Sequence, residues 1–195
     1  MEIVRINEED LYNQDDYCPY WNGEKFTGIG YEMGTDGVIY RETSYKNGVQ
    51  DGIYQEFSDR GTLLEKGYFK NGYAYGIWKK WNEARQLISL EIFNRSGEIY
   101  GEKRDSEGLI FCKKYTQKLG TRIVNKYSKE ELFFRSGSLR EERIYEYEIL
   151  VKARKWNLEG DCVEDYHIDK DNPSHKYLLS YAKDSTSDNP FIFSK

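Results

Sequence analysis

The chain has 195 residues, with 29 Lys and Arg against 34 Asp and Glu for a formal net charge of −5, and three cysteines. That balance argues against a polycationic nucleic-acid binder, the odd and unpatterned cysteines against a disulfide framework, and the lack of any long apolar window against a membrane-spanning helix. Eighteen Tyr, nine Phe and four Trp beside seventeen Gly point instead to a thin β-sheet covered by aromatic rings.

The opening stretch, MEIVRINEEDLY, has no basic start and no apolar core of signal-peptide length. Residues 1–20 are therefore expected to cap one end of a repeat array, and a cytoplasmic location is expected for the protein.

From Trp21 a repeat takes over. DGVIYRETSYKNG at 36–48 returns as DRGTLLEKGYFKNG at 59–72, which sets Gly37 and Gly61, Tyr45 and Phe69, Asn47 and Asn71, and Gly48 and Gly72 at intervals of 24 residues. Gly28, Gly52 and Gly76 keep the same interval, and Gly101 follows one residue late. Asn-Gly tolerates positive φ at both central turn positions, so each unit is expected to be a β-hairpin. Its expected turn residues are Gly37, Asn47, Gly48, Gly52, Gly61, Asn71, Gly72 and Gly76. Glycine this frequent opposes helix, at about 1 kcal/mol for each interior position. Residues 83–93 lack glycine, with Arg85 where the repeat expects one; strand is favoured there and a short helix stays open. Beyond Gly108 the repeat fades while its frame persists.

At the C-terminus, Asn172-Pro173-Ser174 opens a short helix whose Tyr177, Leu178, Tyr181 and Ala182 are expected to dock on the array. The tail through Phe191-Ile192-Phe193 suits either a frayed end or one edge strand. The fold class expected is all-β, an elongated meander of antiparallel hairpins about 60 Å long in one domain over 1–195, with hairpin repeats at 21–172 and a helix and tail at 173–195.

Charge is unevenly spread. Residues 1–60 hold 13 acidic and 5 basic side chains, a net of −8, whereas residues 61–130 hold 14 basic and 8 acidic, a net of +6. An acidic end around Asp15, Asp16, Glu24, Glu32 and Asp36 can steer a basic partner. Lys79, Lys80, Arg85, Lys103, Arg104, Lys113, Lys114 and Lys118 interleave with Trp78, Trp81, Tyr100, Phe111 and Tyr115, a pattern that anionic headgroups can use and that half-exposed strands also produce.

Catalytic signals are sparse. His167 and His175 are the sole histidines, and neither lies near a nucleophile turn or a paired zinc spacing. Cys162 and His167 stand among Asp161, Asp165, Asp169 and Asp171, but Ser174 occupies the position where a calcium loop requires glycine and no glutamate follows at the bidentate position. No catalytic residue, metal or cofactor is expected, and no direct contact with nucleic acid.

WNGEKFTGIGYE at 21–32, ETSYKNGVQDGIYQEF at 42–57 and YFKNGYAYGIWKKW at 68–81 resemble the bacterial MORN-repeat-variant family, whose unit runs roughly Y-K-N-G-x-x-x-G-x-[WY]-x-x-[YFW]. The resemblance is specific from Trp21 to Gly76 and partial to Gly108. It implies a MORN-like hairpin array and kinship with YwqK-like antitoxins, immunity proteins encoded beside polymorphic or LXG-type toxins. On that footing the expected partner is a cognate toxin of nuclease or deaminase type. Tyr31, Tyr54, Phe57, Trp78 and Trp81 are the candidate aromatic anchors, and Asp15, Asp16, Glu32, Asp51 and Glu56 their charge partners. Each aromatic suits the core as well as an interface, because strand alternation does not say which face meets a partner. The alternative is a scaffold or peripheral anionic-lipid-binding module; oligomeric state is left open.

Overall fold

The computed structural model describes residues 3–13, 16–95, 97–118, 125–169 and 171–185. Asp15 and the tail at 186–195 lie outside them. The fold is all-β: strands dominate, and among the described residues there is one α-helix. No helix among them is long and apolar enough to cross a membrane. Contacts gather into two compact units, residues 1–97 with 106–108, and residues 98–105 with 109–195.

The first unit begins with β1 (Arg5–Asn7) and a 3-10 turn at Glu8–Asp10, followed by a small separate sheet of β2 (Tyr12–Asn13), β3 (Pro19–Trp21) and β4 (Glu24–Lys25). This small sheet runs across the expected cap boundary at residue 20. The repeats then lay down β5 (Gly28–Met33), β6 (Ile39–Lys46), β7 (Val49–Phe57), β8 (Leu63–Lys70), the short β9 (Tyr73–Ala74), β10 (Gly76–Trp81) and β11 (Leu87–Asn94). From β5 to β11 each strand pairs antiparallel with its neighbour, while β1 adds in parallel to β5. Residues 5–7 thereby pair along the edge of β5.

Two turn types alternate. Asn47-Gly48 has φ of 50° and 75°, and Asn71-Gly72 has 51° and 81°, the mirror-image turn that suits the right-handed strand twist. At the opposite ends of the strands, four-residue turns close with the fourth residue left-handed: Gly37 and Gly61, then Arg85 at φ 62°. Ser58 and Asn82 open two of these turns and accept, through side-chain oxygens, the N–H four residues on. A register shift in the ladder precedes every one of them. Arg85 therefore continues the repeat in strained form, and residues 87–94 are strand.

Gly52 and Gly76 are not turn residues, contrary to expectation. They lie on β7 and β10, and Gly52, with φ 128°, sits at a bulge where a Cβ would come within 2.6 Å of Ser44 Cβ. The bulge resets the alternation so that residues two positions later, Tyr54 and Trp78, turn to one face.

The second unit contains β12 (Gly97–Arg104) from Glu98 onward, β13 (Ile110–Lys118), β14 (Asn125–Phe133), β15 (Leu139–Glu146), β16 (Ile149–Trp156), β17 (Cys162–His167) and α1 (Pro173–Ser185). The strands again form an antiparallel meander. The turn between β15 and β16 has the mirror-image geometry with no glycine, Tyr147 at φ 51° and Glu148 at 67°. Asn172 caps the helix, its Oδ1 accepting the Ser174 N–H at 2.9 Å with Pro173 in the first turn. Tyr177 and Leu178, expected to dock, are exposed.

Candidate interaction surface

Residues directly opposite in a ladder share a face, so the register sorts the first unit into two surfaces. On one, glycine alternates with aromatic rings: Gly28 faces Tyr45, Gly52 faces Phe69, and Gly76 faces Phe93. The missing side chains leave room for rings from the adjacent strands. Trp78 is 8% exposed, stacks on Tyr54 at 5.2 Å, meets Phe69 and Phe93 edge-on at 5.0 and 6.1 Å, and donates its indole N–H to the Tyr68 carbonyl at 3.2 Å. Thr43, at 1% exposure, lies opposite Tyr54. This is the core of the unit.

Polar groups on the same face are tied down. Glu8 accepts from the Tyr45 hydroxyl at 3.0 Å and from Arg41 Nη2 at 3.1 Å, and Arg41 also pairs with Glu32. Tyr54 donates to Glu56 at 3.1 Å. Burial pushes the Tyr45 and Tyr54 phenols up to about 12, with the charges of Glu8 and Glu56 adding to the effect.

The opposite face is open. Here β10 presents Ile77, Lys79 and Trp81, β8 presents Tyr68, Lys66 and Leu63, and β7 presents Ile53, which together line a groove of about 520 Å³. Ile53 is 49% exposed, Tyr68 41% and Ile77 56%. These exposed apolar side chains are clustered on paired strands rather than scattered singly.

Among the expected anchors, only Trp81 lines this groove. Tyr54 and Trp78 belong to the aromatic core rather than to an exposed surface, because the glycine bulges aim them at the buried face. Phe57 is half-buried opposite Leu63, and Tyr31 is half-buried opposite Glu42. The expected charge partners have structural company. Asp51 Oδ2 accepts the Asn71 N–H at 3.1 Å, and Asp16 pairs with Lys25 at 2.7 Å, whose hydrogen bond holds its carboxyl down at about 2. Glu32 and Glu56 lie on the aromatic face, away from the groove. Ile53, Tyr68, Ile77 and Lys66 were not singled out by sequence reasoning, and Lys79 only within the basic stretch. The signal for Ile53 and Ile77 is the position directly after each bulge glycine, where alternation sends them opposite to Tyr54 and Trp78.

In the second unit, Cys162 Sγ donates to the Glu164 carbonyl at 3.3 Å and His167 Nε2 lies 2.8 Å from Asp165. Among the described residues, no group of three or more His, Cys, Asp and Glu side chains is placed to hold a metal ion. Comparison with known proteins finds no matching family model and no matching curated relative.

Proposed function

We propose that the protein is a non-enzymatic, cytoplasmic immunity protein that binds a cognate bacterial toxin domain, one that targets nucleic acid, and occludes its active site or substrate path. The observation that carries this reading is the groove of Ile53, Leu63, Tyr68, Ile77 and Trp81, an exposed apolar strip on paired strands. Such a strip is ordered before binding, so association loses little chain entropy, and desolvation of its centre supplies the binding energy. The resemblance to antitoxins, specific over Trp21 to Gly76, takes in β7 and β8 of the groove and is partial over β10. Carboxylates of residues 1–60 would set the encounter rate with a basic toxin.

The test is to coexpress the toxin encoded beside this gene and score survival, then measure both rate constants on purified proteins. Ile77→Ser is expected to raise the dissociation rate, and Asp16→Lys with Glu32→Lys to slow association with little change in dissociation. Failure of the wild-type protein to bind or neutralise that toxin defeats the reading. Leu109, Phe111 and Tyr115, exposed on or beside β13, favour a second reading as an anionic-lipid-binding module, which liposome sedimentation without toxin would reveal.

A further inference from the structure

Lys66 and Lys79 stand directly opposite each other on β8 and β10. Like charges in that position repel. Two other like-charged pairs standing opposite each other have a counter-charge: Glu131 and Glu142 share Lys129 Nζ at 2.7 and 3.0 Å, and Glu65, opposite Glu56, takes Lys80 Nζ at 3.2 Å. The two lysines have no such counter-charge among the described residues. Their ladder neighbours on either side are Gln55 and Leu90, both neutral. Apolar side chains flank them within the same groove, with Ile53, Tyr68 and Ile77 to one side and Leu63 and Trp81 to the other.

Along β10 the groove reads Ile77, Lys79, Trp81 at alternate positions, which is the spacing at which an extended chain presents one face, about 6.6–6.8 Å per pair of residues. We propose that the groove docks an extended acidic segment of the partner protein, with a carboxylate between the Lys66 and Lys79 ammonium groups and apolar side chains two residues to each side. This rests on the binding-protein reading and names the chemistry of the partner's contact. A carboxylate between two cations of an otherwise neutral groove offsets half of their charge and relieves their mutual repulsion. A polyanionic bilayer or nucleic acid would also have to approach the net charge of −8 carried by residues 1–60.

The probe is a terminally blocked peptide, Leu-Thr-Glu-Thr-Phe, titrated into the isotope-labelled full chain, with Leu-Thr-Lys-Thr-Phe as its control. The Glu peptide is expected to shift the amides of Ile53, Tyr68 and Ile77, and the Lys peptide to leave them in place. Lys66→Glu combined with Lys79→Glu should weaken the Glu peptide about tenfold and take up the Lys peptide instead. Lys79→Gln, which removes the repulsion and so folds at least as stably as the parent, should weaken the Glu peptide as well. Equal response to both peptides, no shift at millimolar Glu peptide, or shifts confined to other strands would overturn the proposal. So would binding to phosphatidylglycerol vesicles without binding to the peptide, or concentration-dependent broadening of the groove amides in the protein alone, which would assign the groove to lipid or to a second copy. Toxin neutralisation that survives the double charge reversal sinks the docking assignment and leaves the immunity reading standing. A wild-type protein that takes the Glu peptide but no toxin does the reverse.

Discussion

Trp78 occupies the space that a side chain at position 67 would need: a Cβ built on Gly67 would lie 2.1 Å from the indole Cδ2. Gly67 is buried on β8, opposite Tyr54, and the ring is further held by Tyr54, Phe69 and Phe93, so it has no direction in which to yield. Gly67→Ala is expected to destabilise the protein by about 1–3 kcal/mol, and Trp78→Ala by about 3–5 kcal/mol. The two losses should not add. In the Trp78→Ala background the added methyl enters vacated space, and a double-mutant cycle by urea denaturation should show a coupling of about 1 kcal/mol or more.

Left-handed backbone without glycine is strained at Arg85 and Glu148, with φ of 62° and 67°. Arg85→Gly and Glu148→Gly are each expected to stabilise by about 1 kcal/mol, seen as a higher denaturation midpoint at unchanged slope. Gly48→Val should do the opposite, since φ there is 75° and a Cβ would come within 2.9 Å of Cys18 Cβ. Equal midpoints for all three would remove backbone strain as the reason for the turn sequences.

Alkali should loosen the sheet. Burial raises Tyr45, Tyr54 and Tyr100 from 10.0 to about 12, aided by Glu8, Glu56 and Glu102 respectively. A folded value above the unfolded one means that these contributions are intact below pH 10 and lost as pH rises through about 12. Tyrosinate absorbance followed alongside circular dichroism should show late ionisation accompanied by loss of strand signal, and Tyr54→Phe should flatten the decline. At the acid end, Asp16 lies at about 2 against 3.8, so the contribution of its pairing with Lys25 is present above pH 3.8 and lost as pH falls through about 2. An NMR titration in which Lys25→Met returns Asp16 toward its usual range would check the cause.

Ion pairs take over from rings in the second unit. Glu142 meets Lys129 at 3.0 Å and Arg154 at 3.3 Å and is buried. Glu142→Gln leaves both cations under-compensated, and because they remain about one-third exposed the expected loss is about 1–2 kcal/mol. That loss should shrink as salt is raised.

Asn47-Gly48 and Asn71-Gly72 were legible because the dipeptide itself demands the turn, and Tyr147-Glu148 was not because neither residue favours positive φ; pairing of β15 with β16 imposes it. The glycine interval of 24 residues announced the repeat without announcing that Gly52 and Gly76 are bulges, and that gap misplaced Tyr54 and Trp78. Which face a side chain takes depends on counting through the bulge, so one unrecognised extra residue inverts the reading. Contacts such as Glu8 with Arg41 and Tyr45, more than thirty residues apart, carry no local signature at all. Lys66 and Lys79 became a pair only when the register placed them opposite each other.

Each two-residue turn is fastened to the hairpin before it: Gly48 N–H to the Phe26 carbonyl at 2.8 Å, then Gly72 N–H to the Gln50 carbonyl at 2.8 Å. Asn47 N–H likewise reaches the Thr27 hydroxyl, and Asn71 N–H the Asp51 carboxylate. The acceptor that a turn needs is thus supplied by its predecessor, and the turn's own strand supplies the acceptor for its successor. A duplicated stretch of 49–72, inserted in frame, would find both ends of this relation already satisfied. Growth by whole copies can therefore lengthen the first unit without disturbing the copies already there, and loss or gain of a hairpin becomes a single genetic event with a folded product.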